Sequence, residues 1–136
     1  MKIYLEENVK EPTRAYPTDA GLDIYSRETK VIKARGCETF DTGVHIELPQ
    51  GTCGLLKSKS GLNVKHGLIG EGVIDVNYSG SICVKLYNLS DEDYIVNEGD
   101  KIIQLLIVPI WTPLIEIVDE LKSEGRGNNG FGSSGR

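Results

Sequence analysis

Five short segments of the chain carry residue types suited to phosphate chemistry. Gly125 to Arg136 sets Arg126 and Arg136 around a glycine-rich stretch with Asn128, Asn129, Phe131, Gly132, Ser133 and Ser134. Closely spaced glycines let backbone N–H groups approach phosphate oxygens, and arginine and serine add donors. The same composition also suits a plain flexible terminus. G-K-[ST] is missing, so the segment is not a P-loop. Lys57-Ser58-Lys59-Ser60-Gly61-Leu62 leads into the best helix candidate of the chain. It reads equally as a phosphate site at a helix N-terminus or as a polar loop with a serine cap. Within Gly72–Gly80, Asp75 follows Val73 and Ile74 inside an apolar strand. It is either a general base for water or a carboxylate that satisfies turn amides. Tyr78 either lies against a sugar or covers a hairpin. Asp23, between Leu22 and Ile24, binds a cation directly or through water, or orders its own loop. Gln104 is a polar group in an apolar run and needs partners from protein, water or ligand. Two sets of phosphate donors, two carboxylates and a phenyl ring stand out, with no serine, cysteine or histidine nucleophile in view. That combination predicts metal-assisted attack of water on a phosphate ester or anhydride.

These residues need a scaffold, and the pattern predicts one made of strands. Strands are expected at Lys2–Leu5, Val31–Lys33, Thr39–Thr42, Val44–Leu48 and Thr52–Lys57. Gly72–Val76 and Ile82–Tyr87 are expected to form a hairpin across Ser79-Gly80. Tyr94–Val96 and Ile102–Val108 flank the turn Asn97–Asp100, and Trp111–Val118 reads as a late strand. Ile102–Val108 is apolar on both faces and belongs deep in the fold. One short helix is expected over Ser60–Lys65, capped by Ser58 or Ser60. Turn signals at roughly ten-residue spacing indicate a sandwich or jelly roll.

Composition narrows the function classes. The chain has 136 residues, suited to a single domain. Its 15 Lys+Arg against 20 Asp+Glu leave a net charge of −5, which argues against nucleic-acid binding. No apolar run spans a bilayer, and the acidic start is no signal peptide, so neither membrane nor secretion is expected. Cys37, Cys53 and Cys83 form no C-x-x-C and read as buried or semi-buried thiols in a reducing, cytoplasmic compartment. His45 and His66 are separated and read as structural or surface residues. Glycine, 16 residues of 136, is well above the usual share of about 7%. A chain so rich in turns has few side chains to bury, and help from an oligomer is expected.

Taken together and in order, the five segments resemble the five motifs of the homotrimeric dUTP pyrophosphatases, from about residue 15 to residue 135. The resemblance implies an all-β jelly-roll homotrimer with one short helix and a flexible C-terminal arm. It implies a β domain over 1–122 and a glycine-rich lid over 123–136. The implied activity is hydrolysis of dUTP to dUMP and pyrophosphate with Mg²⁺, which limits uracil incorporation into DNA and supplies dUMP for dTMP synthesis. By the same resemblance Asp23 helps hold a hydrated Mg²⁺, and Lys59, Ser60 and Gly61 bind the triphosphate. Asp75 activates the attacking water, and Tyr78 packs on the deoxyribose. Gly72, Val73 and Ile74 belong to the segment that reads uracil through backbone groups. Gln104 lies near the phosphates. In the lid, Phe131 stacks on uracil, while Arg126, Gly132, Ser133 and Ser134 hold the phosphates. Each site is shared by three subunits.

The chain departs from the family pattern at a few positions. Lys59 stands where arginine is usual, which keeps the charge and loses the bidentate fork. Asn77 stands where many members have a second Asp, and Asn128-Asn129 where a glycine is common. The stretch from His66 to Asp75 is slightly short. A related trimeric dCTP deaminase would need a Glu base and an Arg near the cytosine amine, and no such pair stands out. A regulatory, non-catalytic member is the other alternative, against which the intact Asp75, Tyr78 and Phe131 argue.

Overall fold

The computed structural model describes residues 1–122. The strands are β1 (Lys2–Leu5), β2 (Leu22–Tyr25), β3 (Lys30–Ile32), β4 (Cys37–Asp41), β5 (Val44–Glu47) and β6 (Thr52–Lys57). After the helix α1 (Ser60–His66) come β7 (Leu68–Ile69), β8 (Glu71–Ile74), β9 (Cys83–Asn88), β10 (Tyr94–Val96) and β11 (Lys101–Pro109). All pairings are antiparallel. The largest sheet has the order β2-β11-β6-β8, and a second has β4-β9-β7. Two-stranded pairs β1-β5 and β10-β3 complete the sandwich.

Period-two alternation drives this arrangement. In β9, Val84, Leu86 and Asn88 are buried while Cys83, Lys85 and Tyr87 face out. One core runs through both larger sheets, with Phe40, Ile24, Ile82, Leu86, Ile103 and Leu105 almost fully buried. Each such side chain contributes about 1.5–3 kcal/mol by leaving water. The layers approach closely at Gly70, where a Cβ would sit 2.8 Å from Leu86 Cδ2 and 3.0 Å from Ile103 Cδ1. As expected, β11 is central, although only Ile102, Ile103 and Leu105 of it are fully buried.

Several expectations change. The stretch around Ser79-Gly80 is not a hairpin turn, because β8 pairs with β6 whereas β9 pairs with β4 and β7. The connection crosses from one sheet to the other, and Ile82 N–H donates to Val44 O at 2.8 Å on arrival. The turn at Asn97–Asp100 likewise joins strands of different sheets. The helix N-cap is Lys59, with no side-chain cap. Ser58 Oγ instead bridges Gly70, accepting from its N–H at 2.9 Å and donating to its carbonyl at 3.1 Å. Trp111–Val118 forms no strand. It lacks a partner strand among the described residues, and Trp111, Leu114, Ile115 and Ile117 stand exposed. Of the thiols only Cys53 is buried. No helix of the described residues is long and apolar enough to cross a membrane.

Candidate active site

Strand register brings distant segments into one row. Gln104 pairs with Asp23 on one side and with Lys57 on the other, and Lys57 pairs with Glu71. The row Asp23–Gln104–Lys57–Glu71 therefore crosses all four strands of the largest sheet. Just beyond it the chain leaves β6 through Ser58 and Lys59 into α1.

At this row Asp23 is only 6% exposed, and its backbone is held on the outer edge of β2 by Thr13 through two hydrogen bonds. Its Oδ1 accepts from Lys59 Nζ, and its Oδ2 lies 2.8 Å from Lys101 Nζ. Burial pushes the Asp23 carboxyl upward. The hydrogen bonds and charges of Lys101 and Lys59 outweigh that and hold it below the usual carboxylate value. A buried carboxylate between two ammonium groups carries a compensated charge and fixes both lysine head groups. Gln104 Nε2 donates to Ser58 O at 3.0 Å, which pins the residue before Lys59. Gly21 makes room for this amide, since a Cβ there would lie 2.2 Å from Gln104 Oε1. Ser60 and Gly61 stand exposed at the start of α1. A Cβ on Gly61 would meet nothing within 4 Å, so no contact within the described chain calls for glycine there.

The second assembly lies at the other end of β8. A cleft of about 220 Å³ is lined by Val73, Ile74, Asp75, Tyr78 and Cys83. Asp75 is exposed, in a turn just past β8 rather than inside the strand, and its carbonyl accepts from Tyr78 N–H at 3.0 Å. Tyr78 Oη donates to Ser81 O at 2.8 Å, which lays the ring back across its own loop. Gly80 permits this, because a Cβ there would meet Tyr78 Oη at 2.5 Å. Gly72 is half-buried in β8, an edge strand whose outward backbone groups have no ladder partner among the described residues.

These two assemblies do not meet within one chain. Asp75 lies four residues beyond the Glu71 row, about 13 Å along the strand, and β8 is three strand spacings, about 14 Å, from β2. Asp23 and Asp75 are thus about 19 Å apart on this geometry. Among the described residues no group of three or more His, Cys, Asp or Glu is placed to hold a metal ion. Arg126, Phe131, Gly132, Ser133 and Ser134, and with them the 123–136 segment, lie outside the described residues. Sequence reasoning missed the pairing of Lys101 with Asp23. The available signal was its place three residues before Gln104, immediately ahead of the predicted strand Ile102–Val108.

A protein-family model described as dUTPase matches residues 7–135 of the chain. The chain belongs to the dUTPase family. It is similar to the deoxyuridine 5'-triphosphate nucleotidohydrolase of Yarrowia lipolytica, 42% identical over 135 residues that cover 97% of this chain and 86% of the relative. Among solved structures it is similar to a mutant dUTPase of Staphylococcus bacteriophage 80alpha with dUpNHpp. That match has a TM-score of 0.91 and 33% identity, covering 99% of this chain and 98% of the other. A mutant dUTPase from phage phi11 of S. aureus, described as coordinating a structural Mg(II) ion, matches with a TM-score of 0.81 and 35% identity. It covers 88% of this chain and 96% of that one. The dUTPase fold therefore accounts for the whole described chain.

Proposed function

We propose that this dUTPase hydrolyses dUTP to dUMP and pyrophosphate in a homotrimer, each site drawing on more than one subunit. One observation carries the shared-site reading: the cage at Asp23 and the cleft at Asp75 lie on opposite edge strands and at opposite ends of the β2-β11-β6-β8 sheet, so one chain does not bring them together. A second copy that presents its cage to the cleft of the first completes a site. The exposed apolar residues of 110–122, among them Trp111, Leu114 and Leu121, supply surface for such contacts.

In this reading uracil lies along the β8 edge and is read by backbone groups of Gly72, Val73 and Ile74. The Tyr78 ring faces the deoxyribose, where a 2′-hydroxyl would collide. Asp75, solvent-accessible at the mouth of the cleft, takes a proton from a water molecule as that water attacks the α-phosphorus. The bond from the α-phosphorus to its bridging oxygen breaks in line, and pyrophosphate leaves with the electron pair. Lys59, Ser60, the Gly61 backbone and Gln104 of a neighbouring copy hold the phosphates. Arg126, Phe131, Gly132, Ser133 and Ser134 close over the nucleotide as a lid. Both Asp23 oxygens already engage lysines. Asp23 would therefore hold a Mg²⁺ ion only through water, and the chemistry such an ion would supply is neutralisation of charge on the pyrophosphate leaving group.

The decisive assay is pyrophosphate release with Mg²⁺ from dUTP, dTTP, dCTP and UTP in parallel. Release from dUTP alone is expected, and release from none of them overturns the reading. Light scattering should give three times 14.9 kDa, and a monomer mass would break the shared-site arrangement.

A further inference from the structure

We infer that His45 is a positioning residue for the loop carrying Asp75 and Tyr78, and that its protonation sets how firmly this loop is held. The inference deepens the dUTP reading and rests on it.

His45 lies on β5 opposite Tyr4, whose ring centroid is 5.2 Å away. Its Nδ1 is 2.8 Å from Ser79 O, and its Nε2 is 3.1 Å from Glu6 Oε1. A carbonyl and a carboxylate both accept only. A neutral imidazole has a single N–H, so both contacts are hydrogen bonds only when the ring carries both protons. Ser79 directly follows Tyr78, whose N–H in turn donates to Asp75 O. The ring thus reaches the proposed base and the sugar-facing tyrosine through one turn of backbone.

The surroundings favour the charged ring. Glu6 also pairs with Arg27 at 2.5 Å, and Arg27 pairs with Asp41 at 2.6 Å. Asp41 accepts from Ser81 Oγ on the far side of the same loop. Lys2 and Glu47, which flank His45 on the neighbouring cleft, pair with each other at 3.0 Å. The Ser79 carbonyl, then the Glu6 carboxylate, raise the imidazole above its ordinary 6.5. Below 6.5 both tethers are present. As pH rises through the raised midpoint one proton leaves, and either the Ser79 tether is lost or a ring lone pair faces the Glu6 carboxylate.

The test is an NMR titration of the full chain from about pH 5.5 to 9, following the His45 ring and the Ser79 and Tyr78 amides. Binding of dUpNHpp is measured over the same range. The expected result is a His45 midpoint above 6.5, amide shifts with that same midpoint, and Kd for dUpNHpp rising about five-fold across it. His45→Gln should remove this pH dependence of Kd, and Glu6→Gln should move the midpoint down. A His45 midpoint at or below 6.5, amides that do not follow it, or an unchanged pH dependence in His45→Gln overturns the inference. Should His45→Gln not fold, the Glu6→Gln midpoint decides. Failure to bind dUpNHpp at any pH overturns the dUTP reading instead, while the ring and amide titration still judges the tether.

Discussion

Gly21→Ala tests how tightly the cage is built. Gly21 is not among the left-handed glycines of the described residues, which are Gly43, Gly51, Gly67 and Gly99. Alanine therefore suits its backbone, and on unfolded-state entropy alone would stabilise the chain by about 0.4–1 kcal/mol. The new methyl, however, would lie 2.2 Å from Gln104 Oε1 and 3.1 Å from Gln104 Cβ. The amide must swing away and give up its bond to Ser58 O at 3.0 Å. Losing the bond costs about 1 kcal/mol, and leaving a half-buried carbonyl unpaired costs about 1–2 kcal/mol more. A net destabilisation of about 2 kcal/mol is expected, read by urea unfolding at fixed protein concentration because an oligomer's stability depends on it. The same displacement releases the backbone before Lys59, so kcat/KM for dUTP should fall about tenfold. A double-mutant cycle isolates the cause: in a Gln104→Ala background Gly21→Ala should cost less than about 0.5 kcal/mol. Equal cost in both backgrounds, or a neutral Gly21→Ala in the native background, would refute the steric account.

Asp75→Asn should lower turnover about 10²–10⁴-fold while stability stays within about 0.5 kcal/mol, because the residue is exposed; near-normal turnover removes it as the base. Asp75→Asn and Lys59→Ala should each be nearly inactive, yet subunits mixed by refolding in equal amounts should recover roughly a quarter of native activity if the two residues act from different copies. No recovery on mixing would place both residues in the same chain's site. The Asp23 carboxyl is held below its ordinary 3.8, so the cage contributes stability above that value and loses it as pH falls through the lowered midpoint. An unfolding titration should show this acid limb below 3.8 in the native chain and its absence in Asp23→Asn.

Much of this protein was legible in residue types and spacing. Residue pattern placed nine of the eleven strands of the described residues, because a half-buried strand tends to show period two whatever it pairs with. β2 was missed because it is buried along its whole length and shows no alternation, and β7 because two residues are too few to show a period. Asp23, Asp75 and Gln104 were singled out as polar groups in apolar surroundings, and Lys59 as a cation just ahead of a helix start. Their partners were not legible. The hairpin expected around Ser79-Gly80 failed because a tight turn signals reversal of direction, and β8 and β9 then enter different sheets, a choice made by long-range packing. Trp111–Val118 has the composition of a strand, but a ladder needs a partner and none is present among the described residues. His45 and Glu6 are 39 residues apart and match no motif, so only the pairing of β1 with β5 brings that ring between Glu6 and Ser79. Local pattern thus determined most of the element types and the candidate residues, and the order of the motifs pointed to the family. Tertiary structure decided which of those residues touch, because contacts between segments far apart in the chain depend on register and sheet order, and neither is written in any local window.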